Sequence, residues 1–123
     1  MLATLLQVAL GGALGASARY LTGVAAVRVM GPGFPWGTLA VNVAGSFLMG
    51  VIVVVMAHTG NRFAPFVMTG ILGGFTTFSA FSLDALTLYE RGQAGLAAAY
   101  VLASVLLSLM AIVAGLLVAR ALA

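Results

Sequence analysis

The sequence contains no cysteine and no lysine, and only 6% of its 123 residues are charged. Without cysteine there is no disulfide framework, no thiolate nucleophile and no zinc–cysteine site. A soluble globular domain normally has about a quarter of its residues charged, and a disordered chain combines low hydrophobicity with high net charge. Because 63% of the residues are hydrophobic, both classes are excluded. The composition indicates a small integral membrane protein.

Breaker segments divide the chain into apolar runs. A membrane-crossing helix needs about 20 apolar residues, so the length allows about four of them. The breakers are the Gly/Pro-rich segment 31–35, the polar segment 58–62 and the segment 90–92. We therefore predict an all-α fold in which residues 1–123 form a single four-helix transmembrane domain, with no extramembrane domain. The predicted spans are residues 2–27, 36–57, 63–89 and 94–118.

The positive charges are divided almost evenly between the two sides of this topology. One side carries Arg62 and Arg120, and the other carries Arg28 and Arg91, with Arg19 near the end of the first span. Orientation normally follows a clear Lys/Arg excess in the cytoplasmic loops, which is missing here. Two interpretations stay open: insertion in both orientations with an antiparallel homodimer, or a single orientation decided by one charge. The scattered arginines form no basic patch, so we expect no nucleic-acid partner.

Small residues, at four-residue spacing in the first span, favour close helix packing in the first two spans. Such residues let helix backbones approach each other in lipid. They serve either packing within the chain or a seam between two copies, and the sequence does not decide between these. The residues concerned are Gly11, Gly12, Gly15 and Ala16 in the first span, and Gly45 and Gly50 in the second.

Residues 70–82 interrupt the third apolar run with three glycines followed by β-branched and hydroxyl residues. These residue types weaken a helix or compete for its backbone hydrogen bonds. Carbonyl groups freed at membrane depth are tolerated only where they are buried in protein or line a cavity, and there they can coordinate a cation. We predict a broken helix near Gly73–Thr77 as a candidate functional site. The alternative is a helix that is only kinked.

Polar and aromatic side chains recur at helical spacing around the predicted break. Hydroxyl and amide donors without an acid or base suit a pathway for an anion, and the positive edge of an aromatic ring can also face an anion. The alternative for each set is ordinary hydrogen bonding between helices. The sets are Asn42 and Ser46 in the second span, Phe78 and Phe81 in the third, and Tyr100, Ser104 and Ser108 in the fourth.

Acidic and catalytic residues are almost absent. Asp84 and Glu90 are the only carboxylates, and His58 lies in a loop. Proton-coupled transporters normally keep an intramembrane acid or histidine as a relay, and no catalytic cluster is present, so we do not expect an enzyme. Arg19 either extends to the membrane interface or makes a vestibule attractive to anions.

Three motifs together resemble the Fluc (CrcB) family of fluoride channels along essentially the whole chain. They are GGALGASARY at 11–20, GTLAVN at 37–42 followed by GSF at 45–47, and GGFTTFSAFS at 73–82. The resemblance implies a four-helix subunit with a broken third helix, assembled as a dual-topology antiparallel dimer with two fluoride pores. It also implies passive fluoride export across a bacterial inner membrane, which relieves fluoride toxicity.

The resemblance further implies a structural sodium ion at the dimer centre, held by the backbone carbonyls of Gly73 and Thr76. Ala80 departs from the family, which often has threonine there, so one hydroxyl of the polar track is missing. The alternative function is a small dual-topology multidrug transporter, although its expected glutamate in the first span is absent; a non-transporting assembly subunit is a third class. The implied pore residues are Asn42, Phe78, Ser79, Phe81, Tyr100, Ser104 and Ser108.

Overall fold

A computed structural model describes all 123 residues, and its regular structure is entirely helical. Helix α3 covers residues 65–75; it starts as a π-helix over Pro65–Leu72 and ends in one α-helical turn, Gly73–Phe75. A π-helix is rare and is frequently found at functional sites. The other helices are α1 (Leu2–Met30), α2 (Trp36–Thr59), α4 (Phe78–Glu90) and α5 (Ala94–Leu122).

Three segments are long and apolar enough to cross a membrane: Trp36–Thr59, Pro65–Glu90 and Ala94–Leu122. The second of them contains α3 and α4 together. The sequence predicted four spans, and α1, with 29 residues, is long enough to be the fourth. It is less apolar than the others because it carries Gln7, Arg19 and Arg28.

Glycines bring the backbones of α1 and α3 into contact. A Cβ atom added at Gly70 would lie 2.8 Å from Cα of Gly11, and one added at Gly74 would lie 2.8 Å from the carbonyl oxygen of Gly12. Gly15 is buried against the backbone of α3 in the same way. Gly11 and Gly15 therefore pack within the chain, where they permit the close approach that stabilises helix pairs in lipid, whereas the Cβ position of Gly12 meets open space.

Helices α2 and α5 pack against each other through a second pair of glycines. A Cβ at Gly50 would lie 2.8 Å from the backbone nitrogen of Leu116, and one at Gly115 would lie 3.0 Å from the carbonyl carbon of Phe47. Both glycines are buried. Because each faces backbone atoms of the other helix, no larger side chain fits at either position without moving a helix.

The chain leaves helical conformation between α3 and α4, at Thr76 and Thr77. Thr76 has φ −87° and ψ 156°, and Thr77 has φ −152° and ψ 123°. Both are extended conformations that suit β-branched residues. Gly73, by contrast, is helical, with φ −64° and ψ −36°. The interruption expected near Gly73–Thr77 is thus only two residues long and falls on the threonines.

Candidate functional site

An open groove of about 370 Å³ runs beside this interruption, between α2, α4 and α5. None of the side chains that line it is ionisable, and its polar groups are hydroxyls and one carboxamide. An anion in the groove would therefore meet hydrogen-bond donors without a fixed negative charge. The lining consists of Asn42, Gly45, Ser46, Met49, Thr76, Thr77, Phe78, Phe81, Ser104, Val105, Ser108, Leu109 and Ile112.

Ser104 is the most informative residue of the groove. Its exposed fraction is 6%, and its Oγ atom lies near the Tyr100 hydroxyl but has no partner in the chain with good hydrogen-bond geometry. Leaving a buried polar group without a partner costs about 1–3 kcal/mol, so such a group normally has a ligand or an ordered water. Ser108 lies one helical turn further along the same wall and is half-buried. The two serines thus lie along the same wall of the groove on α5.

Phe78 and Phe81 lie at the start of α4 with their ring centroids 5.4 Å apart. Phe81 is buried, and its ring also packs 5.3 Å from the ring of Tyr100. Phe78 is 78% exposed. The sequence placed both rings on one helix face, and the structure brings both to the groove, but the chain covers only the ring of Phe81.

Asn42 joins α2 to the interruption by two hydrogen bonds. Its Nδ2 donates to the carbonyl oxygen of Thr77 at 3.0 Å, and the backbone N–H of Thr77 donates to its Oδ1 at 2.7 Å. The residue lines the groove, yet both ends of its carboxamide are engaged with the backbone. The hydroxyl of Thr77 in turn caps α4, since the N–H of Ala80 donates to it at 3.2 Å.

Two of the predicted pore residues lie outside the groove lining. Tyr100 is fully buried, and its hydroxyl donates to Oδ2 of Asp84 at 3.1 Å. Ser79 is exposed, and its Oγ lies 3.4 Å from Oγ1 of Thr77. The predicted stripe of Tyr100, Ser104 and Ser108 is therefore divided, because the two serines belong to the groove lining and Tyr100 does not, although the Ser104 hydroxyl is buried beside that of Tyr100.

Arg19 points toward the interruption from α1. Its Nε donates to the carbonyl oxygen of Gly74 at 3.0 Å, and the bond is partly buried. A carbonyl near the end of α3 is one of the groups that a helix terminus leaves without an intrahelical donor. The arginine therefore satisfies backbone of α3, a role that the sequence analysis did not consider.

In a continuous helix the carbonyls of Gly73 and Thr76 would each accept a hydrogen bond from the N–H four residues later, but here neither does. The N–H of Thr77, four residues after Gly73, donates to Asn42 instead. The N–H of Ala80, four residues after Thr76, donates to the Thr77 hydroxyl. Gly73 is also exposed, with only one atom near the position of a missing Cβ, the oxygen of Met68 at 3.6 Å. These carbonyl oxygens are hard donors of the kind that alkali and alkaline-earth cations accept.

A second cavity, of about 270 Å³, lies at the loop 31–35 and the end of α4, with Thr38, Asp84 and Arg91 in its wall. In the sequence Asp84 is notable only as one of two carboxylates. No pattern could have paired it with Tyr100, because the two residues are 16 positions apart on different helices. The aromatic packing of Phe34 on Tyr100, at 5.4 Å, was equally invisible to sequence spacing.

Comparison with known proteins identifies the family. The protein-family model described as "CrcB-like protein, Camphor Resistance (CrcB)" matches residues 6–116. A Cereibacter sphaeroides protein named "Fluoride-specific ion channel FluC" is 73% identical over 120 residues, covering 98% of this chain and 97% of the relative. Proteins of the same name from Ruegeria sp. and Paracoccus denitrificans are 60% and 58% identical, each over at least 96% of both chains. The resemblance carried by the three sequence motifs is thus confirmed, and this multi-pass membrane chain belongs to the Fluc (CrcB) family.

Proposed function

We propose that this protein is a fluoride-selective channel that lets fluoride leave the cell passively and so relieves fluoride toxicity. The observation that carries the proposal is the groove beside the helix interruption, where the buried hydroxyl of Ser104 has no partner in the chain. The names of the relatives, "Fluoride-specific ion channel FluC", support the choice of ion. Nothing in the groove suggests catalysis, and we propose no enzymatic step.

The physical task of such a channel is to replace the hydration shell of a small, strongly hydrated anion. Removing an ion from water without replacement partners costs many kcal/mol. The hydroxyls of Ser104 and Ser108 and the electropositive ring edges of Phe78 and Phe81 would supply those partners. Several weak sites in succession would also let the ion leave again. Because no carboxylate lines the groove, an anion would meet no repulsive charge there.

In this proposal one copy of the chain forms only part of the pathway for fluoride, and a second copy completes it. The groove is open on one side, and Phe78 is largely exposed at its rim. An antiparallel partner would close the groove and cover the ring, giving two pores per homodimer. The almost even division of arginines between the two sides supports insertion in both orientations. We propose that α1 is the fourth span and that the membrane is the inner membrane of a bacterium.

A sodium ion at the dimer centre fits the donors that the chain offers. The carbonyls of Gly73 and Thr76 lack their helical donors, and Gly73 is exposed, so two copies could offer four backbone oxygens to one cation. A bound sodium ion would supply positive charge that holds two interrupted helices together. The hydrogen bonds at the interruption would fix the orientation of these carbonyls in each subunit. No carboxylate lines the adjoining groove, so none could couple sodium movement to transport.

Fluoride efflux from liposomes tests the function directly. Purified protein should release fluoride far faster than chloride, and it should not move an organic cation. Release of the cation, in exchange for protons, would instead indicate the alternative small multidrug transporter, which family membership and the acid-free groove do not favour. Removal of sodium should abolish activity slowly, whereas a strict dependence of the fluoride flux on a sodium gradient would contradict a structural ion.

Orientation is tested by the accessibility of a tag after Ala123. Dual insertion predicts that a membrane-impermeant reagent modifies about half of the tags, in keeping with the weak arginine bias. Two lysines added after Ala123 should bias insertion and inactivate the protein unless a partner with the opposite bias is coexpressed. Modification of all tags from one side of the membrane would contradict the antiparallel dimer.

A further inference from the structure

We propose that Asn42 is a positioning residue that keeps the chain interrupted at Thr77, a role separate from any contact with the permeating ion. Its carboxamide makes two hydrogen bonds with one residue: Nδ2 to the Thr77 carbonyl at 3.0 Å, and Oδ1 from the Thr77 N–H at 2.7 Å. This is the pairing that a neighbouring strand would give to an extended residue. Both polar atoms of the carboxamide thus bind the backbone, and one N–H of Nδ2 is left over.

The second of these bonds explains why α3 stops. In a continuous helix the N–H of Thr77 would donate to the carbonyl of Gly73, four residues earlier. Asn42 takes that N–H, so the helical bond is not made and Thr77 stays extended, with φ −152° and ψ 123°. A side chain on α2 thereby frees a carbonyl on α3 that the proposed sodium ion would use.

The proposal separates two kinds of polar residue along one groove. Ser46 lies one turn from Asn42 on the same helix, lines the same groove and is half-buried as Asn42 is. The hydroxyl of Ser104 has no partner in the chain. Loss of Asn42 should therefore alter the backbone at the interruption, whereas loss of either serine should alter only the chemistry of the groove.

Hydrogen exchange of the Thr77 amide, measured by NMR on the full-length protein in lipid nanodiscs, tests this assignment. Asn42→Ala should speed exchange at Thr77 about tenfold, since one well-aligned hydrogen bond is lost. Ser46→Ala is the matched control and should leave the exchange rate at its wild-type value. Asn42→Asp retains an acceptor for the Thr77 N–H, so this variant should preserve most of the protection even if its charge blocks the flux.

A second measurement determines the sodium concentration at which the sodium-induced rise in melting temperature is half-maximal. This part rests on the sodium site proposed above. Asn42→Ala should raise that concentration about tenfold, and Ser46→Ala should leave it unchanged. If the wild-type protein shows no response to sodium, or no fluoride flux, those proposals fail, whereas the exchange comparison at Thr77 still decides the role of Asn42.

Wild-type exchange at Thr77 in Asn42→Ala, accompanied by lower fluoride flux, would overturn the proposal and make Asn42 a donor to the ion. If Asn42→Ala cannot be purified, Asn42→Leu, which has a similar shape but no acceptor for the Thr77 N–H, takes its place. Faster exchange at Thr77 in the leucine variant supports the positioning role, and wild-type exchange contradicts it.

Discussion

Helices α2 and α5 differ from the segment formed by α3 and α4 in how each satisfies its backbone. Polar backbone groups in a bilayer must find partners within the protein. The continuous pair does so by unbroken helices of 24 and 29 residues. The interrupted segment instead borrows partners from other helices, with Arg19 donating to Gly74 and Asn42 pairing with Thr77. The packing of α2 against α5, the continuous pair, thus depends on the shapes of the two helices, whereas the interrupted segment of α3 and α4 depends on particular polar side chains for its backbone hydrogen bonds.

The largest effect is expected where shape is violated in the continuous pair. In Gly115→Val the new Cβ would lie 3.0 Å from the carbonyl carbon of Phe47 and 3.2 Å from the nitrogen of Val51. Overpacking against a backbone should lower the free energy of unfolding by about 3 kcal/mol, measured by denaturant titration in detergent. Gly95→Val is the control on the same helix, because its Cβ would meet open space. Equal stability of the two variants would show that close backbone contact is not what holds α2 and α5 together.

The next effect concerns the aromatic rings at the start of α4. Phe78→Ile should reduce fluoride efflux about tenfold, since an aliphatic side chain has no electropositive edge. Phe81→Ile should reduce it similarly and also cost up to about 1.5 kcal/mol of stability, because that ring is packed.

Phe63→Ile is the control for these rings, since Phe63 is an exposed phenylalanine remote from the groove. Its efflux should stay at the wild-type level. Near-wild-type efflux from both α4 variants in properly dimeric protein would leave Ser104 and Ser108 as the only lining of the path and would weaken the contrast between the two regions.

A smaller effect should follow from removing the cap of α4. Thr77→Val keeps the side-chain shape but removes the acceptor for the N–H of Ala80. The loss of an N-cap should lower the free energy of unfolding by about 1 kcal/mol. Thr87→Val is the matched control, because the Thr87 hydroxyl only donates to Leu83 within the same helix. If both variants lost the same stability, the interruption would not depend on its side-chain caps.

The smallest effect is expected at Ser104, which belongs to α5 and lines the groove beside the interruption. Ser104→Ala should lower fluoride efflux about threefold, as expected for one hydrogen bond, with stability unchanged or slightly higher because an unpartnered buried hydroxyl is removed. Ser17→Ala on the exposed face of α1 should change neither quantity. Unchanged efflux in Ser104→Ala would mean that α5 contributes shape alone.

The sequence predicted the class of the protein and the place of its interruption because both follow from local properties. Composition excludes a soluble domain, and the breakers at 31–35, 58–62 and 90–92 coincide with the ends of helices. The extended residues are Thr76 and Thr77, within the stretch that glycines and threonines predicted. Periodicity along one helix, however, gives only which residues share a face.

Tertiary packing decided which residues each helix face contacts. Tyr100 and Ser104 are four residues apart on α5, yet the Tyr100 hydroxyl donates to Asp84 outside the groove lining and Ser104 belongs to that lining. Asn42 and Thr77 are 35 residues apart, and Arg19 and Gly74 are 55 apart. The rotation and depth at which helices pack determine such partners, and these depend on glycine contacts between distant segments. The sequence by itself therefore determined the membrane class, the helices, the break and the family, whereas only the packing decided that Asn42 and Arg19 support the backbone and that Ser104 remains free.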